Sequence, residues 1–556
     1  MKTTSLFRVS FACGLALQLL PCVHPAEMPA PAAKPPLFAG LGPHSRRVTT
    51  RSAEAQKYFD QGLNFVFGFN HGAAIRSFQE AARLDPDCAM AHWGIALASG
   101  PHINFPMVPP PMAGQAWAEL TLAKQHSANA SAVERALIEA LGQRYANPQP
   151  DDRSGLDRAY ADAMRGVWRS FPRDADVGAL FAEAMMDLRP WDQWTPEGQA
   201  QPGTDEIIAT LDAVLKLEPR HPFANHLYIH AVEASPHPER ALAAADRLRD
   251  LQPGLAHNVH MPSHIDIRVG HWHEAIAANL RAVDADAKFR AIVGPPRDMI
   301  VVYAAHNEHM LAYAAMMTGQ RELAVKHIRA MVAGLPEEFL KEYAPMAEGF
   351  VAMPYQVLLR FGRWDEILAE ADHPDYMPFT RAFRHAARGI ALAAKGDTKA
   401  ARAEEALYLD ACKRVPVEET LGNNSAPAIM AVATPMLAGE ILVREGRLDE
   451  GVARLREAVK AEDALHYDEP PGWILPVRHS LGATLMAAGR FAEAEQVYRD
   501  DLARLPENGW SLFGLAQSLK MQRKAAEAAA VDTRFKKMWA KADLVLTSSC
   551  LCQPGM

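Results

Sequence analysis

"YFDQGLNFVFGFNHGAAIRSFQEAARLDP", from Tyr58 to Pro86, decides the fold. Tyr58, Gly62 and Phe65 mark one helix, Ala74, Phe78 and Ala81 mark a second, and Pro86 ends it. The same order of large, small and terminal residues returns in "VRHSLGATLMAAGRFAEAEQVYRDDLARLP", Val477 to Pro506, through Leu481, Gly482, Leu485, Ala494, Tyr498 and Pro506. "NGWSLFGLAQSLK" follows with Trp510 and Gly514. Between these units Ala, Leu, Glu and Arg keep helical spacing, Gly or Pro interrupts every dozen or so residues, and alternating β-branched runs are scarce. The pattern predicts an all-α chain built from helical hairpins.

These repeats resemble the tetratricopeptide repeat, a helix-turn-helix unit of about 34 residues whose small residues let two helices cross closely. The resemblance implies a superhelical solenoid of antiparallel helix pairs over 48–545, with the first helices of successive units lining a concave wall. The phrases "NHLYIHAVEASPHPERA", "HMPSHIDIRVG" and "AHNEHM" also resemble a group of exported bacterial tetratricopeptide-repeat proteins, a likeness that brings no reaction with it.

Outside the repeats, Lys2 and Arg8 precede an apolar run from Val9 to Leu20 and then Pro21, the layout of a secretory signal over residues 1–26. A Pro- and Ala-rich linker over 27–47 and a flexible, cysteine-containing tail over 546–556 are expected to flank the solenoid. The reading is an exported chain, periplasmic or secreted, with no permanent membrane anchor; Pro21 argues against a lipid anchor at Cys22. Six cysteines are too few for a disulfide scaffold, though Cys550 and Cys552 could pair or catch a soft metal. With 58 Lys and Arg against 66 Asp and Glu and no basic block, nucleic acid and anionic lipid are excluded as partners.

One region departs from plain hairpins: residues 225–275 hold eight histidines. His226, His260 and His309 each stand 15 residues before the small residue that opens a second helix, Ala241, Ala275 and Ala324. His230 and His264 stand 11 before it, where the third unit has Tyr313. The third unit is displaced by 49 residues rather than 34, which places an insertion of 15 near "AKFRAIVGPPRDMIVV". His226/His230 and His260/His264 are four apart and His306/His309 three, so each pair shares a helix face. If the units stack as the resemblance implies, His226, His230, His260, His264, His306 and His309 converge as metal ligands, conceivably in two groups of three. Such a nitrogen-rich set suits a transition metal, copper first, with zinc or iron next, and not magnesium or calcium.

Glu233 and Tyr303 fall close enough to orient a ligand or move a proton. His237, His257, His271 and His273 fall in turns or off that face, while His385 and His479 form a second tier. Three Pro- and Trp-rich stretches, Ser99–Gly114, Arg189–Gly203 and His466–Pro476, are too long for tight turns and read either as lids, with Trp191, Trp194 and Trp473 over a substrate, or as surface loops that only pack a Trp. No nucleophile elbow, zincin motif or phosphate loop is present. Two functions remain: a copper-dependent oxidoreductase acting on a small molecule or peptide in the concave groove, or a non-catalytic scaffold holding a peptide or protein partner there.

Overall fold

The computed structural model describes residues 34–294 and 299–553; the signal segment 1–26 and the start of the linker lie outside them. The described chain is helical almost throughout. Its only named strands form a two-residue hairpin, Thr420–Leu421 against Asn424–Ser425.

Local chemistry explains the first hairpin. Ser52 caps the Ala53–Phe67 helix by accepting from the Ala55 N–H at 3.1 Å, and Asn70 caps His71–Leu84 by accepting from Ala73 at 3.2 Å. Close helix crossing then requires glycine at specific places. A Cβ on Gly62 or on Gly94 would meet the Phe78 ring at 2.6 Å, so both glycines seat the same aromatic side chain. The late unit repeats the device: Gly482 and Gly514 both face Tyr498, at 2.4 and 2.2 Å from an added Cβ. The units that resemble the tetratricopeptide repeat therefore pack alike, and helices pair consecutively along the chain as in such a solenoid.

Two apolar cores result, one running from Leu41 to Tyr303 and the other from Ile267 to Cys552. They meet where the Pro262–Val269 and Ile300–Met317 helices contribute side chains to both. Distant units are tied within the second core: the Trp272 indole N–H donates to Pro506 O and that of Trp510 to Met316 O, each at 2.7 Å. The Ala426–Arg444 helix is long and apolar enough to cross a bilayer, yet Ile429, Val432, Met436, Leu437 and Ile441 are buried in the second core.

Two expectations about the ends need correction. The linker does not stay free to residue 47: Gly254 N–H donates to Gly40 O at 2.8 Å, and Arg46 is buried against Asp174 and Asp176 at 2.8 Å each. The tail is not flexible through residue 553. Cys550 and Cys552 form a disulfide, both are buried, and the neighbouring Ser549 hydroxyl donates to His479 O at 3.0 Å. In both cases backbone groups find partners inside the fold, which composition alone does not reveal. The inserted residues extend the Trp272–Val293 helix to 22 residues, against 14 in His71–Leu84.

Candidate metal centre

The histidine-bearing helices lie at the seam between the cores. Pro222–Val232 carries His226 and His230; Ala256–His260 carries His257 and His260; Pro262–Val269 carries His264; Ile300–Met317 carries His306 and His309. Pro262 lacks a backbone N–H, so the second stretch divides in two, but Met261 keeps helical angles and His260 and His264 still share a face.

Two trios form: His226, His230 and His257, and His260, His264 and His306. Within each, one ligand atom per residue lies within 4.8 Å of the others, so each trio can hold a metal ion. The His230 and His264 rings are 5.4 Å apart, which makes the trios neighbours. They lie inside the protein and not on an open concave wall, since His226 and His260 are 0% exposed.

The partners of the Nδ1 atoms fix the tautomers. His226 Nδ1 lies 2.8 Å from Phe67 O, which can only accept, so that nitrogen bears the proton. His260 Nδ1 lies 2.6 Å from Asn279 Oδ1, and the Asn279 amide donates to Ala275 O, so the oxygen faces the ring. Glu233 receives Nδ1 of His230 at 2.9 Å and of His264 at 2.7 Å, joining the two trios through one carboxylate. Every neutral ring so held presents a lone pair at Nε2. The Nε2 atoms face one another in hydrogen-bonded pairs, with one proton shared in each: His226 Nε2 is 3.1 Å from His257 Nε2, and His260 Nε2 is 2.6 Å from His264 Nε2. His230 Nε2 is buried with no hydrogen-bond partner.

Burial holds His226, His257, His260 and His306 well below the ordinary imidazole range, with repulsion among the rings adding to it. The same cause brings His230 to about 3. At His264 burial is outweighed by the Glu469 and Glu233 carboxylates, which raise it to about 10. Burial, aided by Glu233, brings Glu469 up to about 7. The centre thus offers neutral imidazoles at His226, His230, His257, His260 and His306, whereas His264 is held as imidazolium and becomes a ligand only when a metal ion displaces its Nε2 proton.

His309 stands apart from both trios. It is buried edge-on to Phe350 with neither ring nitrogen bonded, and burial brings it to about 3. His257, expected off the face, takes a place in the first trio instead. A signal existed: His257 precedes His260 by three residues just as His306 precedes His309. Tyr303 packs against His257 at 4.8 Å between ring centres and accepts from the Asn104 amide at 3.3 Å. His385 pairs with Glu404, while His479 lies between Arg360 and Asp501, both away from the trios.

All three irregular stretches reach the centre. Asn104 of the first meets Tyr303, Trp191 of the second lies edge-on to His230 at 5.2 Å, and Glu469 of the third contacts His264 Nδ1. Trp194 and Trp473 instead line a neighbouring cleft, their indole N–H groups donating to Ala231 O and Leu475 O. Phe69, at φ 53°, and Trp191, at φ 59°, adopt left-handed backbone angles that bulky residues avoid. Both pack on the first trio, Phe69 at 4.5 Å from the His226 ring. Two of the four non-glycine residues with left-handed angles among the described residues thus flank these imidazoles, the others being Glu507 and Arg523.

The chain is structurally similar to proteins containing tetratricopeptide repeats. The Cut9–Hcn1 hetero-tetramer of the APC/C aligns at 12% identity over 87% of this chain and 76% of that one, with a TM-score of 0.33. The human IFIT1 dimer with PPP-AAAA gives 13%, 88%, 92% and 0.32, and the P58(IPK) TPR domain 13%, 85%, 99% and 0.19. These likenesses concern helical-repeat architecture and carry no argument about ligand or reaction. No protein-family model matches the chain, and no curated protein matches it in sequence.

Proposed function

We propose that this helical-repeat protein is an exported metalloprotein. His226, His230 and His257 hold one transition-metal ion and His260, His264 and His306 a second, in an oxidoreductase centre acting on a small molecule. The observation that carries the reading is the convergence of imidazole nitrogens in two adjacent trios, four of whose rings are held at Nδ1 by Phe67 O, Asn279 or Glu233 so that Nε2 turns toward its neighbours. Lone pairs at 2.6 Å repel unless a cation lies between them, either a proton on His264 or a metal ion. All-imidazole trios suit copper, with zinc or iron as the other fits. A bound copper pair supplies electron transfer; the chain supplies its orientation. Glu233 fixes one ring of each trio, Phe67 O and Asn279 fix two more, and Asn104, Trp191 and Glu469 cover the centre. The Cys550–Cys552 disulfide is consistent with an oxidising compartment and so supports export.

The test is metal content by mass spectrometry on the full chain prepared without a histidine tag. We expect about two ions per chain, one per trio. Folded protein that stays metal-free after reconstitution with copper, zinc and iron in turn would overturn the centre. It would leave the reading of a scaffold whose histidines are held by shared protons and whose task is a peptide or protein partner.

A further inference from the structure

A cleft of about 660 Å³ opens beside the centre, with Trp191, Trp194 and Trp473 on its walls and Arg268 and Tyr313 among its lining residues. Arg268 follows His264 by one helical turn, and Tyr313 takes in the third unit the repeat position that His230 and His264 take in the first two. The Arg268 guanidinium donates through Nη2 to Ser235 O at 3.2 Å and stacks over the Tyr467 ring at 5.3 Å. Among the described residues no carboxylate lies within ion-pair distance of it, although the neighbouring Arg478 is paired with Asp463 at 2.7 Å. Its Nε is shielded and has no acceptor, and the buried Tyr313 hydroxyl has no hydrogen-bond partner either.

Guanidinium cannot shed its proton at physiological pH, and a buried donor without an acceptor costs about 1–3 kcal/mol. Orphaned guanidinium Nε atoms occur elsewhere in the fold, at Arg46 and Arg144 for example, but Arg268 differs from those two in having no carboxylate in ion-pair contact, and an acidic group of a ligand would satisfy it and the Tyr313 hydroxyl together. The indole walls favour a flat, partly apolar body, and the centre lies on the far side of Trp191.

We infer that Arg268 and Tyr313 form the anion-binding end of the substrate cleft, and that the substrate is a small planar molecule bearing a carboxylate. This rests on the proposed centre only for the reaction: the cleft binds its ligand through protein groups. Arg268 and Tyr313 act as positioning residues, holding the carboxylate while the rest of the molecule extends along the tryptophans toward Trp191.

The experiment is titration of tryptophan fluorescence, in the full chain after exhaustive chelation, with benzoate and with its neutral isostere benzyl alcohol. Saturable benzoate binding at least about tenfold tighter than benzyl alcohol is expected. Arg268→Gln should abolish that preference. Tyr313→Phe should weaken benzoate about threefold to tenfold while raising the melting temperature of the ligand-free protein, because it removes a buried hydroxyl that bonds to nothing. Tyr313→Phe keeps the test alive if Arg268→Gln does not fold. Equal binding of the two compounds, no saturable binding, or an unaltered preference in Tyr313→Phe would overturn the inference. Metal content is scored separately. A metal-free protein that still selects benzoate keeps the carboxylate site and loses the metal centre, and a metal-loaded protein indifferent to charge does the reverse.

Discussion

His260 and His479 occupy the same place in their respective repeats, 15 residues before Ala275 and Ala494, and both are 0% exposed. Their surroundings differ in one respect that decides what each can do. His479 accepts from Arg360 Nη2 at 2.7 Å on one nitrogen and donates to Asp501 at 2.9 Å from the other, so both are committed to partners of fixed polarity. His260 is committed on one side only, to Asn279, and on the other it meets His264, whose own Nδ1 is already taken by Glu233 and Glu469. The lesson is that burial and repeat position do not distinguish a structural histidine from a ligand, whereas counting donors and acceptors does. His221 confirms the rule from a third region. Its Nδ1 accepts from Ala224 N–H and its Nε2 donates to Asp176, so the nearby group of His44, Glu218 and His221 leaves no lone pair on that ring.

The comparison is broken most directly by exchanging the damage. His260→Ala/His264→Ala should remove at least one of the two ions while the fold persists, read by metal analysis beside circular dichroism. His479→Ala should leave metal content intact and lose about 3–5 kcal/mol of stability, because Arg360 and Asp501 stay buried without their mediator. If His479→Ala empties the protein of metal without unfolding it, the distinction fails. A smaller effect is expected from Glu233→Gln, which keeps the shape but weakens the acceptor for one ring in each trio. Chelator competition should show affinity falling about 10- to 100-fold. Because Glu233 touches both trios, the loss should appear at both ions; a loss confined to one would mean that the other trio is oriented without it, by Phe67 O in the first or by Asn279 in the second.

Much of this was legible in the residues themselves, and the exceptions have physical causes. The hairpins could be read because Gly62 with Phe78 and Gly482 with Tyr498 express a close crossing within one local unit. Five residues of the two trios, His226, His230, His260, His264 and His306, followed from periodicity. His257 and His309 were exchanged because alignment on Ala324 selected His309, whereas in space His306 is the member that reaches His264. Local spacing could not provide Glu469, which comes from the C-terminal units, or Phe67 O, which is a backbone atom and has no sequence signature. The donors that complete the tautomers are long-range contacts, and helical periodicity holds no information about them.

The two regions also differ in how their buried charge is neutralised, which gives a smaller, pH-dependent test. Near His479, burial pushes Glu462 up to about 8 from an ordinary 4.5, with Arg478 opposing. A folded value above the unfolded one means that the protonated carboxyl stabilises the fold. Its contribution is complete below about 4.5, declines as pH rises and is gone above about 8. Urea unfolding between pH 5 and 8 should therefore lose up to about 1.4 kcal/mol per pH unit through this group. Glu462→Gln should remove that share of the slope without altering metal content. An unchanged slope would assign the titration to other buried carboxyls such as Glu440, which burial brings to about 7.

The smallest effect is expected at the C-terminal cysteines, where the comparison is most exposed to being misplaced. Glu440, Cys550 and Cys552 form another group with metal-ligand spacing, and thiolates would bind copper or zinc more tightly than imidazole does. The disulfide withdraws both sulfurs from that role. A cross-link between residues two apart closes a very short loop and constrains the unfolded chain little, so Cys550→Ser/Cys552→Ser should cost about 1–2 kcal/mol. Metal content should stay the same in this variant. A fall in metal on replacing the cysteines would move the centre out of the histidine trios and into the second core. His260 and His479 would then be equivalent after all, two buried imidazoles satisfied by protons alone.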